Sequence, residues 1–466
     1  MGFYSDQKIR LGVTGLSRSG KTVFLTSLVH QLLRDTEIHE SIEASRHRMR
    51  ILPFFDAVNQ ERLLHVSLDA NPHKTLPPFR YERFARSLLS DHPEWPDSTS
   101  DISFLRLNFH FISKNGWHRT LFGQNILSLE IVDYPGEWLL DLPLLSLSFA
   151  EWSAQMLVLF EEKHRRNRSV DWLKQIGETN PSAPANPAAI QELRQKFAHS
   201  LKSLKYDGFS FLQPGRFVMP GDLAEDSDLL AFCPLPYQNG VDQPGTLYSA
   251  MQKNYQLYCQ KLVKPFYKDW MAGLDRQIVL VDLLENLNRG HDHFCDTQEA
   301  LKTILKHFRH GSKGWLDWLN PSIDKVLFTV TKIDHVGPLQ AHNCRLLLED
   351  LLHDAMRVIG MHGVECKTEA ISSLVSSHFY DEVASGVRFQ KVVGQEGKDR
   401  TPVSIYPGEV PQSIPSGKEW QKIQDAKAKG ESFCFPTFNP PLLESRSMPH
   451  IHLDKVIQFL LGDNLK

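Results

Sequence analysis

The chain has 466 residues, 41% of them hydrophobic and 10% aromatic, enough apolar material for a sizeable core in more than one compact unit. Its 52 basic residues nearly balance 55 acidic ones, a formal charge of −3, which argues against a bulk nucleic-acid binder because such proteins carry a strong basic excess. The 6 cysteines are scattered with no Cys-x-x-Cys pair, so a reducing compartment is expected and neither a disulfide framework nor a zinc site is.

No stretch reaches the ~20 apolar residues of a membrane span; the greasiest run, Leu139 to Phe149, is broken by Asp141 and Pro143. Residues 1–6 lack the basic-then-apolar order of a signal peptide, and Asp6 stands where a myristoylation motif wants Ser or Thr. A cytoplasmic protein is expected, reaching a membrane only through a partner.

The first predicted element is a strand, because Ile9, Leu11 and Val13 alternate with Arg10, Gly12 and Thr14. A glycine-containing loop follows. Beyond it Phe24, Leu25, Leu28, Val29, Leu32 and Leu33 form the buried stripe of an amphipathic helix. From 36 to 100 the pattern weakens among prolines. It returns as a strand over 104–111, where Leu105, Leu107, Phe109 and Phe111 alternate with Arg106, Asn108 and His110, and as an apolar strand over 126–132. Residues 139–275 read as a mainly helical insertion. Strands over 278–284, 325–331 and, last, 364–372 then alternate with helices near 299–308 and 345–359. The segment 386–466 reads as an irregular Pro/Gly/Ser-rich tail closed by a short amphipathic helix over 454–461. Residues 1–138 and 276–385 together make an α/β core whose sheet is mainly parallel and flanked by helices.

Gly15-Leu16-Ser17-Arg18-Ser19-Gly20-Lys21-Thr22 fits the phosphate-loop pattern Gly-x-x-x-x-Gly-Lys-Ser/Thr between that strand and helix. Glycine lets the loop curl so that backbone N–H groups converge on phosphate oxygens. Lys21 neutralises the β- and γ-phosphates, Thr22 offers a hard oxygen to Mg²⁺, and the following helix adds its positive end. Asp133-Tyr134-Pro135-Gly136 closes the strand 126–132. An acid there reaches Mg²⁺, and the Gly136 N–H can meet the γ-phosphate. Glu137, where many GTPases carry a water-positioning Gln, is the candidate base.

Thr331-Lys332-Ile333-Asp334 ends a further strand and resembles the Asn/Thr-Lys-x-Asp signature of GTPases. Guanine presents two N–H donors on one edge, which an ionised Asp334 can accept, whereas adenine turns a ring lone pair to the same place. Lys332 would lie along the base. Thr331 in place of Asn leaves the tether to the phosphate loop open, and Ser372 of Ala370-Ile371-Ser372 is the candidate for a last backbone contact to the base. The cluster Lys163, Arg165, Arg166 and Arg168 reads as a solvated helix face, and His291, His293 and Cys295 as a polar loop rather than a metal site.

These motifs, with Glu130-Ile131-Val132-Asp133-Tyr134-Pro135-Gly136-Glu137-Trp138, Pro214-Gly215-Arg216-Phe217, Arg276 to Asp282, and Tyr406-Pro407-Gly408-Glu409-Val410-Pro411, resemble the YcjX family of bacterial P-loop proteins from end to end. The resemblance implies a P-loop NTPase with a Ras-like GTPase core and a helical insertion, binding GTP or GDP with Mg²⁺. It also implies a link to envelope stress and an unidentified, membrane-associated protein partner. The expectation is a switch that hydrolyses GTP slowly, its first switch in 36–100 supplying Thr75 or Thr99 to the metal. The competing readings are a P-loop ATPase and a scaffold that holds GDP structurally.

Overall fold

A computed structural model describes residues 6–16, 18–33, 51–69, 76–97, 101–114, 125–224, 227–306, 323–361, 363–384, 386–430, 432–443 and 447–466. Ser17, Thr75 and Thr99 lie outside the described residues. The chain divides into two compact units, one formed by Met1–Tyr134, Leu274–His291 and Ser322–Lys466, the other by Pro135–Gly273 and Asp292–Pro321.

The first unit is built on a seven-stranded sheet. In chain order its strands are β1 (Asp6–Gly15), β2 (Leu63–Leu68), β3 (Ser103–Phe111), β4 (Asn125–Asp133), β5 (Arg276–Val281), β6 (Lys325–Val330) and β7 (Glu365–Ala370). They lie in the order β2-β3-β4-β1-β5-β6-β7. From β4 to β7 every pairing is parallel, while β2 and β3 are added antiparallel at one edge. The α/β class with a mainly parallel sheet is therefore observed. Helix α1 (Lys21–Leu33) and the C-terminal helix Leu453–Leu461 cover one face of β1, β3 and β4. There Phe24, Leu25 and Leu28 meet Ile9, Leu11, Leu107, Phe109 and Leu129, with Val456 and Leu460 in the same core.

Four element readings need correction. The apolar run 278–284 is not all strand: β5 stops at Val281, and Asp282 caps the helix Leu283–Arg289 by accepting the Glu285 N–H at 3.0 Å. Leu283 and Leu284 are that helix's buried side. The weak region before 100 contains β2 and a helix over Tyr81–Leu88. The strand 364–372 is not the last, and 386–466 is not irregular. A three-stranded antiparallel sheet of β8 (His378–Ala384), β9 (Val387–Glu396) and β10 (Thr401–Ile405) follows, then a helix over Gly417–Ala428. The glycines that suggested irregularity are hairpin turns, Gly386 at φ +77° and Gly397 at φ +72°. Strand pairing is secured partly by polar cross-strand contacts such as Lys391–Glu382 at 2.7 Å, which give no hydrophobic period.

The second unit contains no strand among the described residues. Its main helices are Phe149–Phe160, Val170–Glu178, Pro187–Tyr206 and Leu247–Tyr258. Ser148 and Glu151 form a capping box on the first, and Asn186 followed by Pro187 starts the third. Trp152 stacks on Tyr255 with ring centroids 5.2 Å apart, and Trp172 meets Phe160 and Phe197 at 5.0 and 4.9 Å. Arg165 is buried rather than solvated, because the Asp296 carboxylate and the Phe211 carbonyl take its guanidinium. His293 stacks on Phe209, and its Nε2 lies 3.0 Å from the Asp207 carbonyl.

The segment that opens this unit is fastened to the Pro214–Phe217 turn. Asp141 accepts the Gly215 N–H at 2.7 Å and the Tyr258 hydroxyl, Gln213 donates to the Leu140 carbonyl, and the Trp138 indole donates to Met219 at 2.8 Å. A Cβ on Gly215 would sit 2.1 Å from the Glu137 carbonyl oxygen, so only glycine allows this approach. Burial pushes the Asp141 carboxyl up to about 7, partly opposed by the hydrogen bonds from Tyr258 and Gly215.

Two consequences can be measured. Phe109→Ala, in the fully buried face of β3, should cost about 3–5 kcal/mol in denaturant unfolding. For Asp141 the folded state keeps a proton that the unfolded chain loses above its ordinary 3.8, so this group lowers stability as pH rises from 3.8 to about 7 and adds no further change above. Asp141→Asn should therefore gain stability relative to the parent across that window, and a pH-independent difference would refute the assignment.

Candidate functional site

In the first unit, parallel pairing brings the carboxyl ends of β1, β4, β5, β6 and β7 to one edge, with Val13 beside Asp133, Gly15 beside Leu280, and Val330 between Val281 and Ala370. That edge of an open α/β sheet is where ligands bind. The described motif residues of this unit stand there.

The phosphate loop leaves β1 at Gly15 and enters α1 at Lys21. Its curl is made by Ser19 N–H donating to the Leu16 carbonyl at 3.1 Å and Phe24 N–H to Gly20 at 2.8 Å. Gly15 is required by space, since a Cβ there would lie 2.1 Å from Ser19 Oγ and 3.0 Å from Leu280 Cβ. Gly20 is required by conformation, at φ +79°, and Arg18 adopts a left-handed φ of 64°. The Ser19 and Thr22 side chains are buried, Arg18 is exposed, and Thr26 Oγ1 donates to the Thr22 carbonyl at 2.7 Å.

Lys21 points across to the end of β4. Its Nζ is 2.5 Å from Asp133 Oδ1 and donates to the Tyr134 carbonyl at 2.9 Å. The other Asp133 oxygen accepts from Ser103 Oγ at 3.2 Å. Tyr134 is anchored behind the sheet by donating to Gln277 Oε1 at 2.7 Å. Thr22 and Asp133 thus offer a hydroxyl and a carboxylate, the hard oxygen donors that Mg²⁺ prefers, at the start of α1 and the end of β4. Gly136 and Glu137 belong to the second unit, where Glu137 is buried and paired with Lys205 at 3.2 Å.

The Thr331–Asp334 motif is held by backbone geometry. Thr331 N–H donates to the Val281 carbonyl at 3.0 Å and its hydroxyl turns to the same oxygen at 3.4 Å, so its tether is to β5. Lys332 sits in the left-handed region at φ 63°, with Nζ 2.6 Å from Asp282 Oδ2. The Asp334 carboxylate is buried and held from two sides. Ser372 Oγ donates to Oδ1 at 2.6 Å, and the Ser376 N–H and Oγ donate to Oδ2 at 2.9 and 3.0 Å. Ser372, the candidate for a backbone contact, therefore acts on Asp334 through its side chain, while its own N–H donates to Ile451 at 3.1 Å.

Sequence reasoning missed Ser103, Asp282, Gln277 and Ser376. Each lies far along the chain from the group it positions, and no spacing rule links them; only the Ser-rich run after β7 hinted at Ser376.

The chain matches the YcjX-like family, DUF463, over residues 9–465. It is 36% identical over 473 aligned residues to the Ras-like GTPase YcjX of Escherichia coli, spanning 99% of this chain and 97% of that protein. It is 33% identical over 476 aligned residues to the Ras-like GTPase YcjX of Shewanella oneidensis, spanning 99% and 96%. A match of this extent, on a mainly parallel α/β sheet with its phosphate loop at the carboxyl edge, places this chain in the YcjX-like family.

Proposed function

We propose that this protein binds guanine nucleotide, hydrolyses GTP slowly to GDP, and acts as a nucleotide-dependent switch. The observation that carries the base preference is the buried Asp334 carboxylate, aimed by Ser372 and Ser376 on the strand edge that also bears the phosphate loop. An oriented carboxylate accepts guanine's two N–H donors and faces a lone pair on adenine. This favours guanine over the ATPase reading, and the names of the two relatives support it.

In this reading the N–H groups of the loop from Gly15 to Thr22, with Lys21, hold the phosphates. Mg²⁺, when bound, spreads the charge of the phosphate oxygens, and Thr22 and Asp133 are the residues whose oxygens would hold it. Nucleotide binding trades the Lys21–Asp133 pair for contacts of Lys21 with phosphate. Glu137 is the candidate base, and its pairing with Lys205 occupies its carboxylate, in keeping with a slow rate. Its neighbour Gly136 would report the γ-phosphate. Because the chain passes at Pro135 from the first unit into the second, and residues 137–141 are fastened to the Pro214–Phe217 turn, a shift at Gly136 would carry that turn with it. This coupling favours a switch over a static GDP scaffold. A cytoplasmic location, a protein partner at the membrane and a role in envelope stress belong to the same reading and rest on the family resemblance; no helix among the described residues is long and apolar enough to cross a membrane.

Calorimetry with GTP, GDP and ATP in the presence of Mg²⁺ tests the assignment. Two charged hydrogen bonds at about 1.5–3 kcal/mol each mean that Asp334→Ala should weaken guanine binding by about a hundredfold or more and leave ATP unchanged. Equal binding of ATP and GTP, indifferent to Asp334, would sink the guanine reading. Gly15→Ala should abolish binding of every nucleotide, because its methyl group collides with Ser19 in the loop itself.

A further inference from the structure

A carboxylate offers about four acceptor positions, two on each oxygen, and leaving them bare in a protein interior is costly. The Asp334 side chain is only 3% exposed, so the chain itself serves those positions in place of solvent. Ser372 Oγ donates to Oδ1 at 2.6 Å, with the Leu374 carbonyl farther off at 3.3 Å. Oδ2 takes both the Ser376 N–H at 2.9 Å and the Ser376 hydroxyl at 3.0 Å. Ser377 Oγ also stands 3.5 Å from Oδ2, but its single proton serves the Asp334 carbonyl at 2.7 Å. Among the described residues, then, Oδ2 is filled and Oδ1 has one position left.

Guanine brings two N–H donors to that carboxylate. The position left on Oδ1 receives one of them, and the other needs a position that Ser376 holds. Of the two Ser376 donors the N–H is fixed by the backbone, whereas the hydroxyl turns about a side-chain bond. The hydroxyl also has a second acceptor beside it. Ser376 Oγ lies 3.3 Å from His335 Nε2, and an imidazole nitrogen that carries no proton accepts an O–H. His335 is buried, with its ring set edge-on to Phe438 at a centroid distance of 5.3 Å, which keeps Nε2 within reach. Its own distance to Asp334 Oδ2, 3.7 Å, is too long for a hydrogen bond. Adenine turns a lone pair to the same carboxylate and supplies nothing in exchange for the Ser376 hydroxyl. Displacing that hydroxyl is therefore open only to a base that carries donors.

We propose that Ser376 is a specificity-determining residue: its hydroxyl fills the second guanine position on Asp334 until the base arrives, and then passes to His335. This rests on the guanine reading of Asp334. Ser376 both orients the carboxylate and makes base binding an exchange of one donor for another. The exchange is needed for guanine's second donor alone. The base of inosine lacks the 2-amino group, so its single N–H uses only the position left on Oδ1.

Calorimetry of the full chain with GDP and with inosine diphosphate, in the presence of Mg²⁺, tests this. The variants are Asp334→Ala, Ser376→Ala, His335→Phe and the Ser376→Ala/His335→Phe double. Ser376→Ala leaves a position on Oδ2 free. It should tighten GDP about tenfold, in line with one hydrogen bond to a charged group that no longer has to be broken, and leave inosine diphosphate unchanged. His335→Phe keeps a ring against Phe438 and removes the acceptor. It should weaken GDP several-fold in the parent and have no effect once Ser376 is alanine, because no hydroxyl is then displaced. Weaker binding of both nucleotides in Ser376→Ala means that Ser376 only orients Asp334 and overturns the proposal, as does unchanged binding. A loss of equal size from His335→Phe in both backgrounds overturns the transfer to His335. The sign of the Ser376→Ala effect decides even where His335→Phe fails to fold. The guanine reading fails separately, through GDP binding that is indifferent to Asp334→Ala, and would take this proposal with it.

Discussion

The candidate site depends on the end of β5. Its last two carbonyls, Leu280 and Val281, accept the N–H groups of Leu16 and Thr331, fixing the phosphate loop on one side and the Thr331–Asp334 motif on the other. Backbone bonds of this kind are individually modest, at about 0.5–1.5 kcal/mol net. Their effect is one of register. Two loops distant in sequence are set by adjacent residues of one buried strand, so their spacing cannot drift without breaking the sheet. Thr331 stands where many GTPases use Asn, and its short side chain turns back to β5, so the strand itself joins the two loops.

A second constraint is electrostatic. Lys21 and Asp133 are both largely buried, and a buried charge without a partner is costly. Each neutralises the other between the start of α1 and the end of β4. The same pair comprises the groups proposed to meet phosphate and Mg²⁺, so occupancy of the site and the local balance of charge are one problem. From Asp133 the chain runs through Tyr134, anchored by Gln277, and then enters the second unit at Pro135. There the next residues are clamped by Asp141, Gln213 and Trp138 rather than left as a free loop. Anchoring on both sides of Pro135 leaves few residues to absorb a displacement, which is the physical basis of the proposed switch.

The sheet's two faces divide the labour. Helix α1 and the C-terminal helix bury an alternating apolar row, and that side holds the fold. On the reverse, Arg10, Glu130 and Arg106 form a charged row across β1, β4 and β3, as the antiparallel side of a sheet that faces solvent commonly does.

Much of this was legible from residue order. The alternation in Ile9–Val13, the phosphate-loop string and the stripe in Phe24–Leu33 together define a strand, loop and helix, because local sterics and periodic burial act over a few residues. The parallel α/β class followed from strands alternating with helices. Tertiary structure decided the rest. β8 to β10 are stabilised by pairing with one another and by polar cross-strand contacts, so from sequence their glycines suggested an irregular tail. Asp282 at the end of an apolar run proved to be a helix cap and the partner of Lys332. Arg165, in a run of cations that suggested solvent, is buried because Asp296, far along the chain, neutralises it. Ser372 and Ser376 aim Asp334 only because β7 lies beside β6. Short-range pattern thus determined which chemical groups this protein carries. Which of them meet was settled by long-range strand order, since a hydrogen bond or ion pair between distant residues leaves no period in the sequence.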